Sequence, residues 1–143
     1  MKNSFFLILV FVLGCNSKTQ KPKSLSPDAE ITIENAKQVT AFENTPESIV
    51  MYFFASRIRK DNEWEKVCPE EGMQTRAFMR KIAEYSSWTF TKYHFVRKEE
   101  VEKDKYWVTI YMEIIYEGKT DDGEDQVTVE LMDGKWVITD IPT

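Results

Sequence analysis

Tyr106–Glu117, YWVTIYMEIIYE, is the stretch whose reading decides the fold. At a period of two, one face carries Tyr106, Val108, Ile110, Met112, Ile114 and Tyr116, all apolar or aromatic. The other carries Trp107, Thr109, Tyr111, Glu113, Ile115 and Glu117. Successive side chains of a strand point to opposite faces, so this pattern predicts a strand with one face on a core. A sheet with a single buried face is characteristically antiparallel.

The neighbouring segments supply the partners. Lys98–Lys105, KEEVEKDK, predicts a charged turn, and Trp88–Arg97 before it predicts a strand whose two faces are both mixed. Gly118–Asp125, GKTDDGED, predicts a solvated hairpin loop; its acids do not have the spacing of an EF-hand. Gln126–Met132 follows, with Val127, Val129 and Leu131 inward. Asp133-Gly134 is a strong hairpin signal. It returns the chain through Lys135–Ile141, with Trp136 and Ile138 as the inner pair. Four antiparallel strands, each beside its sequence neighbour, make a meander.

Before Ser86-Ser87 the period is helical. Thr45 is a good N-cap, Pro46 suits the first helical position, and Glu47 favours the first turn. Ile49, Val50, Phe53, Phe54 and Ile58 then recur at helical spacing, predicting a helix from Thr45 to about Asp61. A shorter helix is expected from Asn62, with Trp64, Val67 and Cys68 on one side and Pro69 ending it. A third, from about Met73 to Tyr85, aligns Ala77, Phe78, Ile82 and Tyr85. Three helices followed by four strands predict an α+β domain whose helices cover the apolar face of the sheet.

The N-terminus has another character. Lys2 precedes the apolar run Phe5–Leu13, which rises only about 14 Å as a helix, about half a bilayer core. It reads as the apolar region of a secretory signal and not as a membrane span. Val12-Leu13-Gly14-Cys15 resembles the lipobox of bacterial lipoproteins. That resemblance implies cleavage between Gly14 and Cys15 and acylation of the Cys15 thiol. Two or three acyl chains anchor stably where one does not. The next residues, through Pro27, are polar with no hydrophobic period, as in a solvated tether. Asn16 is not the Asp that resembles an inner-membrane retention signal, which points to the periplasmic face of the outer membrane. The expected division is therefore a signal peptide at 1–14, the lipidated cysteine and a flexible tether at 15–44, and the folded domain at 45–143.

Thr45-Pro46-Glu47-Ser48, Asp61-Asn62-Glu63-Trp64 and the closing Asp133-Gly134-Lys135-Trp136-Val137-Ile138 resemble small bacterial lipoproteins of the nuclear transport factor 2-like, cystatin-like superfamily. The resemblance covers about residues 45–141. It implies a cone-shaped domain, with a curved sheet wrapped round the helices and a cavity at the open end. It implies no single activity, because that fold hosts enzymes, transport factors and binding modules alike.

Composition narrows the function. The net charge is −5 with no basic stripe, so nucleic acid is not an expected partner. Besides Cys15 there is one cysteine, Cys68, so no internal disulfide is expected, and burial is its expected fate. No glycine-rich phosphate loop or nucleophile elbow occurs. One histidine and one buried thiol do not make a metal site, and no cofactor is expected. Two readings follow. The first is a non-enzymatic envelope module, held to the membrane by its lipid and binding another envelope protein, a peptide or a small apolar molecule. The second is a small enzyme of the isomerase or hydrolase kind using His94 or Asp140. For either, Trp136, Ile138, His94 and Asp140 are the candidate pocket residues, and Trp64, Trp88 and Trp107 are further candidates for a ligand cavity or the core.

Overall fold

The computed structural model describes residues 25–143, and the expected cleavage and lipidation residues Gly14 and Cys15 lie outside them. Five strands form one antiparallel sheet in sequence order: β1 (Ile31–Thr32), β2 (Thr89–Glu102), β3 (Lys105–Tyr116), β4 (Lys119–Met132) and β5 (Lys135–Asp140). Two α-helices, α1 (Pro46–Arg59) and α2 (Arg76–Tyr85), accompany it. The sheet is curled into a half-barrel, so the α+β class expected from the sequence holds. Among the described residues, no helix is long and apolar enough to cross a membrane.

α1 forms where the capping residues place it. The Thr45 hydroxyl accepts from the Ser48 amide, and Pro46 occupies the first turn. Lys60 closes the helix in the left-handed region. Ile49 through Ser56 are all buried, because α1 lies in the hollow of the sheet, packed chiefly across β2. An aromatic cluster joins the layers. Phe54 stacks on Tyr93 at 5.2 Å, and Phe53 meets Trp64 and Tyr85 at 5.9 and 6.4 Å between ring centres. Such pairs add about 0.5–1.5 kcal/mol each beyond the area they bury.

The structure corrects the sequence expectation in four places. The second helix is a single 3-10 segment, Glu63–Val67, although Trp64, Val67 and Cys68 are buried together as expected. The third starts later, at Arg76, because Thr75 caps it by accepting from the Phe78 amide, and Ala77 is left exposed. Neither charged segment is a loop. KEEVEKDK continues the β2 ladder to Glu102, paired with Lys105, and GKTDDGED is the first half of β4. Hairpin turns need only Lys103-Asp104, Glu117-Gly118 and Asp133-Gly134. The last two have positive φ at both positions, 49° and 73°, then 50° and 77°. That geometry matches strand twist, and glycine meets it at the second position.

The fourth correction is the fifth strand. Residues expected to belong to the tether enter the fold: Ile31 pairs with Tyr93, and Ile31, Ala36 and Val39 are buried in the core. The Arg59 guanidinium fixes this segment, donating to the carbonyls of Ala36 at 3.0 Å and Val39 at 2.7 Å.

β2 carries three register shifts, near Thr91, Val96 and Val101. Bulges bend a strand and increase its twist, so β2 is a principal source of the curl. They also break its alternation. Phe90, Tyr93 and Phe95 stand opposite Ile114, Met112 and Ile110 and so share the inner face, at spacings of three and then two.

Candidate functional site

The pairing of β3 with β4 builds the most distinctive surface. Directly opposed residues of an antiparallel pair lie on the same face. Val129 and Val127 stand opposite Tyr106 and Val108, and both are buried. The inner face of β4 then changes chemistry. Asp125, Gly123 and Asp121 stand opposite Ile110, Met112 and Ile114. Asp125 and Asp121 are exposed, although their partners Ile110 and Ile114 are buried.

A groove of about 760 Å³ opens over this half of the sheet. Trp88, Met112, Ile114 and Tyr116 form an apolar floor, and Asp121, Asp125 and Glu84 supply carboxylates. Trp88 is held by stacking on Tyr85 at 4.7 Å, and Tyr85 is anchored by donating its hydroxyl to the Pro142 carbonyl at 2.9 Å. Burial pushes the Tyr85 phenol up, so it stays protonated. Asp121 and Asp125 accept only from the neighbouring amides of Asp122 and Gln126, and neither has an ion-pair partner among the described residues. The outer-face carboxylates of this strand differ. Asp122 accepts from the Tyr111 hydroxyl at 3.0 Å, and Glu124 lies 3.7 Å from Arg97. Of these carboxylates only Glu124 has an ion-pair partner among the described residues, and Lys119, opposite Tyr116, is the one cation in the groove's lining.

A second cavity, of about 700 Å³, lies between β5 and two 3-10 segments, Glu63–Val67 and Glu71–Met73, lined in part by Trp64, Cys68, Met79 and Val137. A network after α1 sets Trp64 in place. The Ser56 hydroxyl accepts from the Trp64 amide at 2.8 Å and donates to the Asp61 carboxylate, which also accepts from Arg59 Nε at 2.6 Å. Burial works to raise the Asp61 carboxyl, but the hydrogen bonds from Arg59 and Ser56 outweigh it and hold it below its ordinary value. The Cys68 thiol is pushed up to about 12, first by burial and then by Glu65.

The residues singled out in the sequence are not brought together. His94 lies on the outer face of β2, stacked on Tyr111 at 4.8 Å, with Nδ1 3.9 Å from Glu30. Asp140 follows a register shift between Thr128 and Val129, comes out opposite Thr128, and pairs with Lys81 at 2.8 Å. Ile138 is fully buried opposite Val129, a core position with no room for a ligand. Trp136 is half-buried and meets Tyr106 edge-on at 5.4 Å. Of the other tryptophans, Trp64 and Trp88 each line one of the two cavities, and Trp107 is exposed on the outer face. Among the described residues, no group of three or more His, Cys, Asp or Glu side chains is placed to hold a metal ion.

Sequence reasoning missed Asp121 and Asp125 because their segment reads as a loop. The usable signal was parity: Asp121, Gly123 and Asp125 continue the inward register of Val127, Val129 and Leu131. No protein-family model, curated protein or solved structure matches the chain.

Proposed function

We propose that this protein is a lipid-anchored, non-enzymatic binding module of the cell envelope, and that its ligand site is the groove over the first half of β4. The observation that carries this reading is the inward register of Asp121 and Asp125 beside an apolar floor. Exposure alone accommodates a carboxylate, but two of them on one face beside an apolar floor attract positive charge. The ligand is accordingly an apolar body bearing an amine or guanidinium, as presented by a basic peptide or a partner protein. The lipobox resemblance supports anchoring through Cys15, with cleavage after Gly14, at the periplasmic face of the outer membrane. The curled sheet around α1 is in keeping with the cone of the nuclear transport factor 2-like lipoproteins that the sequence resembles.

Calorimetric titration of the full-length protein with a peptide alternating Lys and Leu, against one alternating Glu and Leu, tests the groove. The Lys peptide should bind, and the joint Asp121→Asn, Asp125→Asn variant should bind it several-fold more weakly, since each partly exposed ion pair contributes about 0.2–1 kcal/mol. Neutralising Glu100 and Glu102, exposed on β2 and outside the groove's lining, should do less. Equal binding of the Glu peptide, or an unaffected inner-face variant, would refute the assignment. For the anchor, Cys15→Ser should abolish labelling by radioactive palmitate; undiminished labelling would rule it out.

A further inference from the structure

Gly123 is the one residue of β4 without a side chain. It stands on the inner face, opposite Met112 and midway between Asp121 and Asp125. A glycine inside a strand weakens it, and it marks a bulge, a left-handed backbone, a bend or a close approach. The first two are absent here. The register of β3 and β4 runs unbroken through the Met112–Gly123 pair, and the φ of Gly123 is not positive. Crowding does not demand glycine either, because nothing lies within 4 Å of where a Cβ would stand. The space over Gly123 is an open notch in the groove, with the half-buried Met112 beside it, and both residues line the groove.

The notch has a carboxylate on each side. A strand rises about 3.3 Å per residue, so Asp121 and Asp125 stand about 13 Å apart along one face. An extended peptide has the same rise and the same alternation. Its residues i and i+4 are spaced to face the two carboxylates at once, while residue i+2 enters the notch. A helix does not match, because its residues i and i+4 are separated by only about 6 Å along the axis. Lys119 stands two residues before Asp121 on the same face and opposes a further cation at that end.

We propose that Gly123 is a specificity-determining residue of the β4 groove, and that the ligand is an extended segment of a partner protein with the pattern basic–x–apolar–x–basic. This rests on the groove being the ligand site, and adds the spacing and the notch. The central apolar side chain sits over Gly123 against Met112. The flanking amines or guanidiniums meet Asp121 and Asp125, and the intervening residues face away.

Calorimetric titration of the full-length protein tests both parts. Three capped peptides of one composition are compared. Lys-Ser-Leu-Ser-Lys has the pattern. Lys-Leu-Ser-Ser-Lys keeps the charges but turns Leu to the opposite face, and Lys-Ser-Leu-Lys-Ser keeps Leu but turns one Lys away. The first should bind about tenfold more tightly than the second, the scale of one apolar side chain leaving its contact. It should bind several-fold more tightly than the third, for want of one partly exposed ion pair. Gly123→Val fills the notch. It should weaken the first peptide to the level of the second and leave the second unchanged. It should also hold or raise the urea midpoint, because a β-branched residue suits a strand better than glycine. Equal binding of the three peptides would overturn the pattern. If the alternating Lys and Leu peptide still binds, the groove itself survives that result; if no peptide binds, both readings fall. A lower midpoint for Gly123→Val would assign the glycine to the bend of the sheet and overturn its role in recognition. So would undiminished binding of the first peptide to that variant.

Discussion

Asn44 holds Trp136 by the backbone. Its Oδ1 accepts from the Trp136 amide at 2.9 Å, and its Nδ2 donates to the Gly134 carbonyl at 2.9 Å. One side chain thereby ties the segment entering α1 to the β4–β5 hairpin. Two solvent-exposed hydrogen bonds should be worth about 1–2 kcal/mol together. Asn44→Ala should lower the urea midpoint accordingly with an unchanged slope, and an unmoved midpoint would show that the clamp is energetically idle.

Shortening the chain from its N-terminus should have two regimes. A chain starting at Asp28 keeps β1, loses only the partly buried Leu25 from the described core, and should retain the melting temperature within a few degrees. A chain starting at Thr45 loses Ile31, Ala36 and Val39 from the core and the two carbonyl acceptors of Arg59. Fully burying a Val or Ile side chain contributes about 1.5–3 kcal/mol, so this deletion removes several of the 5–15 kcal/mol that hold a domain. Equal melting temperatures for the two chains would contradict the packing of this segment.

Cys68 should behave as an inert thiol. Its folded pKa, raised from 9.0 to about 12, means that folding favours the protonated form. The stability that this group contributes is complete below pH 9 and is lost as the pH rises toward 12, where the unfolded chain ionises first. Buried tyrosines raised by the same cause add to the decline. Cys68→Ala isolates the thiol: its stability should fall less steeply than the wild type between pH 9 and 11. At pH 8, iodoacetamide should label the native protein about a thousandfold more slowly than the denatured one, in proportion to the thiolate fraction. Rapid native labelling would contradict the burial.

His94→Ala should cost less than about 1 kcal/mol and leave binding to the β4 groove unchanged, because His94 and the groove lie on opposite faces of the sheet. Loss of groove binding in a stable variant would return His94 to the site.

β3 was legible to within one residue at each end because it is regular: Lys105–Tyr116 has no register shift against β4, so a period of two survives along its length, and only Glu117 proves to belong to the turn. α1 was equally legible from Thr45 and Pro46, whose chemistry acts locally. β2 was blurred because its bulges reset the alternation that a period count relies on. The acidic half of β4 was misread for a different reason. Charge clusters favour turns on average, and only pairing with β3 makes Thr120–Asp125 a strand. β1 is two residues long, so the alternation of Ile31-Thr32-Ile33 was too brief to separate it from the tether; its burial depends on Tyr93, far along the chain. For the inward position of Asp121 and Asp125 the sequence offered parity alone, which counts only once the segment is known to pair with β3.

β4 divides its labour along its length. Val127 and Val129 are locked into the interior, where a lost methylene is felt, whereas Asp121 and Asp125 are exposed and carry little of the fold. Substitutions in the first half can therefore accumulate without threatening the second. The two-residue turn at Glu117-Gly118 keeps the register constant while they do. Such a strand lets recognition drift through evolution while the scaffold stays put, and it offers an engineer a short tract to randomise with the rest of the domain untouched.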